Sequence, residues 1–253
     1  MRTNVLAIVM TITVVFVWNR ILATRDVVAT GSTVGAIHIE QNWKTWQGDG
    51  QYAVRGVSQG TAISAHTILT HNHFQHPAES TGEILTILDA DGWAMVLAMT
   101  DVIFEPIDEG TLLIHLPGNV TLSPAPLANS QVVEGLGLGV WLTVSYWADD
   151  LGQFVQEDFE IVKLEAGVAT LLDAHQHINP GDSGSGTYFE GQLVGNVWSI
   201  YTTQSGAPLG KFSVALLPTQ VAAIADGEDQ SSGWVTFTPS SDVELEAGQV
   251  IAQ

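Results

Sequence analysis

The 253-residue sequence predicts an all-β chain, two antiparallel barrels packed side by side with one short helix near the C-terminal end. Three observations predict it. Short runs rich in Val, Ile, Thr and Trp recur along the chain, broken by Gly, Asp, Asn and Pro, the pattern of strands bounded by turns. A Pro-containing bridge, LPGNVTLSPAPLANS at 116–130, divides these runs into two groups. Helical character is confined to LPTQVAAIA, near 216 to 225, and the polar, acidic DGEDQSSG after it reads as its end and a linker.

Taken in order, Arg2 precedes an apolar and threonine run from Val5 to Trp18, followed by Asn19 and Arg20. That length suits a signal-peptide core and is short for a membrane span, and Ile21 and Ala23 supply a small-residue cleavage site. Residues 1–25 are therefore expected to be a signal peptide or membrane anchor, and the protein to be secreted or extracytoplasmic. The first barrel, about 30–120, draws on GAIHI, QYAVRGV, GTAIS, TILT, EILTIL, WAMVLAM and TLLIHL. The second, about 128–218, draws on VVEGLGLGVWLTVSYW, FEIVKLE, GQLVGNVWSIY and KFSVALL. Together they make one domain over 26–226, followed by an acidic extension at 227–253 whose last segment, WVTFTPSSDVELEAGQVIAQ, is expected either to add one further hairpin or to hang loose.

Composition narrows the function. At 45% hydrophobic residues the chain has material for a real core. Seven Lys plus Arg against 27 Asp plus Glu give a formal charge of -20, which repels phosphate backbones and anionic lipid headgroups. Nucleic acid is thereby excluded as the main partner, membrane contact is left to the N-terminal segment, and neutral or cationic substrates fit better. The same acidity also serves to keep an exported protein soluble. With no cysteine, disulfides, thiol catalysis and sulfur-based zinc sites are ruled out.

The chemistry-bearing stretch is INPGDSGSGTYFEGQLVGN, 178–196, where Ser183 sits between glycines. A serine hydroxyl is a weak nucleophile at neutral pH and needs a base, most often histidine, within hydrogen-bond reach. All eight histidines (His38, His66, His71, His73, His76, His115, His175 and His177) precede Ser183, which excludes the α/β-hydrolase order with histidine last. Upstream, GTAISAHTILTHNHF ends a β-rich run in Thr70, His71, Asn72 and His73.

These two stretches resemble the chymotrypsin-like serine peptidases, especially the cysteine-free bacterial glutamyl endopeptidase branch. His73 falls on that family's catalytic position after TILT, and GDSG, Gly191, Leu193, Gly195 and the strand through Trp198 follow its serine motif in order and spacing. The resemblance implies two six-stranded Greek-key barrels, a polypeptide substrate, an acyl-enzyme intermediate, no metal or organic cofactor, and a monomer. It implies that Ser183 attacks, His73 is the base, and the backbone N–H groups of Gly181 and Ser183 hold the oxyanion. Asp182 corresponds to the carboxylate that pairs with a freed N-terminal ammonium in activated relatives. The family's orienting aspartate aligns with Gly110, so Asp108 is the expected third member, with Glu109 next and Asp101 behind it. In the primary pocket His177 stands six residues before the serine, where an aspartate would select Lys or Arg, and Val197 stands where glutamyl endopeptidases carry a histidine. Trp198 and Ser199 are expected to form the pocket wall and an edge that pairs with substrate backbone.

Two other readings stay open. ILTHNHFQH also resembles the metallo-β-lactamase signature, with His71, His73 and His76 as zinc ligands, His115, His175 and His177 as further imidazoles, and Gln75 where the signature has aspartate. The third is a peptidase-fold binding protein without turnover, in which tryptophans such as Trp43, Trp46 and Trp93 form a ligand surface.

Overall fold

A computed structural model of the chain describes residues 33–47, 50–73, 81–225 and 249–250. The expected leader at 1–25, His76 and most of the acidic extension lie outside the described residues. Among the described residues no helix is long and apolar enough to cross a membrane.

The chain is all-β, in two sheets. The first contains β1 (Ala36–Gln47), β2 (Gly50–Ser64), β3 (Thr67–Thr70), β4 (Thr81–Asp89), β5 (Ala94–Ala98), β6 (Ile103–Pro106) and β7 (Leu112–His115), in the order β5-β4-β1-β2-β3-β7-β6. The second contains β8 (Trp141–Ala148), β9 (Gln153–Glu165), β10 (Val168–Leu172), β11 (Gly186–Phe189), β12 (Gln192–Thr202) and β13 (Pro208–Leu216), and closes as a six-stranded barrel because β11 pairs with both β8 and β12. All ladders between these strands are antiparallel.

The expectation of two closed six-stranded barrels is corrected for the first sheet, which has seven strands and curls without pairing β5 to β6. After Ala98 a 3-10 turn, Met99–Asp101, sends Met99 and Val102 into the core, so the chain crosses the mouth of the sheet instead of extending its ladder. Pro106 at the end of β6 has no N–H to donate, which suits an edge.

Alternation builds the second core. In β8, Leu142, Val144, Tyr146 and Ala148 are buried, with Trp141, Thr143 and Trp147 more exposed between them. They meet Phe159, Ile161 and Phe212; Phe159 and Phe212 pack edge to face at 5.0 Å, a geometry that adds about 1 kcal/mol to plain burial. A third cluster, including Ile63, Leu69, Leu113, Tyr188, Leu193 and Val221, joins the two sheets to α2 (Thr219–Ala225), the expected C-terminal helix.

The bridge at 116–130 straps both sheets: Leu122 N and Ala125 N donate to Ala65 O and Ala62 O, then Ala128 N donates to Leu193 O. Beyond it, the expected strand at VVEG is corrected to a short helix, α1 (Ser130–Glu134). The cause is local, since the Asn129 side chain accepts Val132 N–H at 3.0 Å and caps the turn. In the last segment Gln249–Val250 (β14) pairs with Tyr201 and Ile200 on the edge of β12.

Candidate active site

The Ser183 turn hangs between the two sheets. Asn179 N donates to the Asp182 carboxylate (2.8 Å), Asp182 N to Asn179 O (3.0 Å) and Ser185 N to Asp182 O (3.1 Å), which coils residues 179–185 tightly. Gly184 N to Val197 O (2.7 Å) and Val197 N to Ser185 O (2.9 Å) then fasten the coil to β12. The first sheet grips it from the other side, for Ser183 O accepts from Gln59 N (2.8 Å) and from the Ser58 hydroxyl (3.1 Å). Gly181 takes φ 101° and Gly184 φ 90°, left-handed values that favour glycine. Ser183 is 4% exposed and Asp182 7%.

Within this turn neither Gly181 N–H nor Ser183 N–H meets an acceptor among the described residues. Backbone donors beside buried groups are rarely left so, and two in one tight turn make a ready site for an oxygen anion.

The histidines stand at the end of β3. Thr70 is anchored by its hydroxyl to Gln59 O (2.6 Å), and the rings of His71 and His73 lie 3.8 Å apart. His71 Nε2 is 2.5 Å from Ser58 Oγ. That hydroxyl gives its only proton to Ser183 O, so it must accept from His71, which fixes His71 as the tautomer protonated at Nε2. His73 thus connects to the Ser183 turn through His71 and Ser58, and no hydrogen bond joins His73 to Ser183 Oγ among the described residues.

Burial first, and the neighbouring His73 second, hold the His71 imidazole well below its ordinary 6.5. The folded state therefore binds this proton less readily than the unfolded chain. Its contribution to stability is complete above about pH 6.5 and is lost as pH falls toward the lowered folded value, at a rate of up to about 1.4 kcal/mol per pH unit. Urea midpoints measured between pH 7.5 and 5 should fall on acidification, and His71→Asn, which keeps a donor for Ser58, should flatten the curve; an unchanged slope in that variant would refute this account.

Asp108 and Glu109 are exposed, as is Asp101. The Asp108 carboxylate accepts Gly110 N (2.9 Å), and its backbone oxygen accepts the Asn72 side chain (2.5 Å), so this loop reaches the histidine turn through Asn72. Gly110 itself is buried, its carbonyl accepts Asn196 Nδ2 (3.1 Å), and a Cβ there would lie 2.4 Å from Ala215 Cβ and 3.7 Å from the Trp198 indole. The position that aligns with the family's aspartate is packed shut.

On the pocket side, His177 Nδ1 is 2.7 Å from Glu157 Oε2, which also accepts the Tyr146 hydroxyl (2.9 Å). An oxygen with two donors identifies His177 Nδ1 as protonated. Asp173 caps the loop, accepting His177 N and Ile178 N at 3.0 Å each, and His175 stacks on His177 at 5.5 Å. Val197 is buried, Trp198 half-buried, and Ser199 2% exposed with its hydroxyl unpaired among the described residues. Sequence reasoning did not single out Ser58, Gln59, His38 or Glu157, and no signal in the chain marks them, since β2 carries other polar residues such as Gln51, Arg55 and Thr61.

Among the described residues no group of three or more His, Asp or Glu is placed to hold a metal, and the all-β fold has none of the flanking helices that the zinc-hydrolase reading requires.

The sequence matches no described protein family and no curated protein. Among solved structures it is similar to the scabies mite inactivated protease paralogue S-D1, with 11% identity, 77% of this chain and 91% of that chain covered, and a TM-score of 0.50. The scabies mite inactivated protease paralogue S-I1 (16%, 74% and 92%, 0.49) and HL collagenase (17%, 78% and 94%, 0.48) lie nearby. The likeness to S-D1, together with the closed barrel and the curled sheet, gives the fold as the chymotrypsin-like double barrel.

Proposed function

We propose that the protein is a serine endopeptidase acting on extracytoplasmic polypeptides as a monomer, with Ser183 as nucleophile and His73 as base. The observation that carries this reading is the pair of unengaged N–H groups at Gly181 and Ser183, beside a serine held on a turn that both sheets grip. In the reaction Ser183 Oγ attacks the substrate carbonyl carbon and its proton passes to His73. The two N–H groups hold the resulting oxyanion. His73 then gives the proton to the leaving amine, an acyl-enzyme forms, and water reverses the sequence to free Ser183. The loop of Asp108 orients the histidine turn, with Asn72 as its point of contact. His177 stands where an aspartate would select Lys or Arg, and the Glu157 carboxylate behind it is engaged by His177 and by the Tyr146 hydroxyl. The apolar run after Arg2 supports the location.

A second reading, a peptidase-fold binding protein without turnover, draws on the sealed position at Gly110. The fold does not choose between them, because it is shared with a protease paralogue described as inactivated. A fluorophosphonate probe does. Labelled Ser183, located by mass spectrometry on the folded protein, is the expected result; a folded protein with no label at Ser183 would leave only the binding role.

A further inference from the structure

Gln59 touches the Ser183 turn twice. Its backbone N–H donates to Ser183 O (2.8 Å), and its side-chain Nε2 donates to Gly181 O at a longer 3.4 Å. These are the two residues whose N–H groups make the anion site. A carbonyl oxygen only accepts, so Gly181 requires the amide to present Nε2. That same Nε2 lies 3.2 Å from Nδ1 of His38, and an amide nitrogen only donates, so His38 Nδ1 must offer a lone pair. His38 is therefore the tautomer protonated at Nε2, which faces the Glu40 carboxylate 3.6 Å away. The ring is 4% exposed and stacks on Trp147 of the second barrel at 4.9 Å and 29°.

This arrangement leaves Gln59 Oε1 buried and without a donor among the described residues. Half a turn of the amide would relieve it, but only if His38 Nδ1 carried a proton to give.

We propose that Gln59 is a positioning residue for the anion site and that His38 sets its orientation, so that protonating His38 releases the Gly181 end of the turn. The proposal rests on the serine-peptidase reading above. When Nδ1 is protonated it meets the amide donor head on; the amide turns to offer Oε1, and Oε1 then confronts the Gly181 carbonyl, acceptor against acceptor. The strut is lost and the Gly181 peptide, N–H included, is free to swing. The groups around His38 decide the direction. Glu40 shares its strand, Leu88 stands opposite it on β4, and Gln59 and Trp147 are uncharged. Gln59 and Trp147 also line a cavity of about 400 Å³ rimmed by Asp149, Asp150 and Asp182. Among the described residues the charged group facing the His38 ring is the Glu40 carboxylate, and since release needs the ring protonated it comes as pH falls.

The test follows kcat and KM on a peptide ester from pH 5 to 8 for the parent, Gln59→Leu and His38→Phe, the last keeping an aromatic ring against Trp147. Gln59→Leu should lower kcat about tenfold with KM nearly unchanged, less than the hundredfold or more for outright loss of a hole donor, because the donor is loosened and not removed. The acid limb of log kcat should be steeper than 1 in the parent across one step, where protonation of His38 adds a drop of about tenfold to the unit slope from His73, and should keep a slope of 1 in His38→Phe. An unaltered kcat in Gln59→Leu, or the same slope in parent and His38→Phe, overturns the proposal. A reading independent of turnover comes from the Ser183→Ala protein, where the Gly181 amide resonance should titrate with the His38 ring and cease to do so in His38→Phe. If that resonance titrates while the parent never hydrolyses, the strut stands and the peptidase reading fails; hydrolysis with a Gly181 resonance indifferent to His38 sinks the strut alone.

Discussion

If the proposed peptidase reading holds, Ser183→Ala should remove hydrolysis and leave the fold standing. Where nucleophile and base act as one unit, deleting either costs about 10⁶ in kcat and deleting both costs little more, so His73→Ala should match it and the double variant should be scarcely worse. The fold survives because the first sheet grips residue 183 by its carbonyl, from Gln59 N and the Ser58 hydroxyl, and alanine keeps that carbonyl. Activity and urea midpoints measured on the same preparations separate the two effects. Full turnover in either single variant would end the assignment. The orienting group gives a finer contrast on the same assay. A buried triad carboxylate converted to its amide costs about 10⁴ in kcat. The Asp108 carboxylate is exposed and bonded to Gly110 N, while its backbone oxygen meets Asn72. Asp108→Asn should therefore cost under about tenfold, and Asn72→Ala more than Asp108→Asn, since only the latter keeps the contact that holds the histidine turn.

Which parts of this architecture could be read from residues alone follows from how local their causes are. The double barrel was legible because alternating burial writes itself into the chain, as in Leu142, Val144, Tyr146 and Ala148. The serine turn was legible as a tight turn because it is a contiguous motif whose glycines answer a backbone need, with φ 101° at Gly181 and 90° at Gly184. What escaped was set at a distance. IFEP became β6 although Glu105 and Pro106 spoil its pattern, because β7 offers it a partner edge. VATLL, only five residues long, is β10 because β9 and β13 flank it. VVEG went the other way, its β-branched residues overridden by the Asn129 cap. Most telling is Gly110. The alignment placed the family's acid there and left a choice among nearby carboxylates, but only packing reveals that Ala215 Cβ, 2.4 Å from where a Cβ would stand, blocks a side chain at that position. The role of Gln59 was likewise out of reach, since it depends on His38 across the sheet and Gly181 across the seam.

Gly184→Ala should be the most damaging single methyl in the described chain. A Cβ at Gly184 would lie 1.9 Å from Gln59 O and 2.4 Å from Thr70 Oγ1, both held by β2 and β3. Those atoms cannot retreat cheaply: Gln59 O already accepts the Thr70 hydroxyl, and Gln59 N holds Ser183 O. Relief would require the turn to lift off the first sheet, taking Ser183 and the N–H groups of Gly181 and Ser183 with it. Gly191→Ala is the control. It has a comparable left-handed φ of 79° but nothing within 4 Å of the new methyl, so it carries the backbone strain without the clash. Left-handed strain alone costs about 1–2 kcal/mol. Gly191→Ala should lose about that much in urea unfolding, with hydrolysis intact. Gly184→Ala should lose about 4 kcal/mol or more, in the range reserved for overpacking at sites that cannot yield, and hydrolysis should vanish with it. Equal losses in the two variants would mean that backbone conformation, and not close docking of the turn on β2, sets the need for glycine at 184. The grip of the first sheet on Ser183 would then be far looser than the Gln59 contacts require.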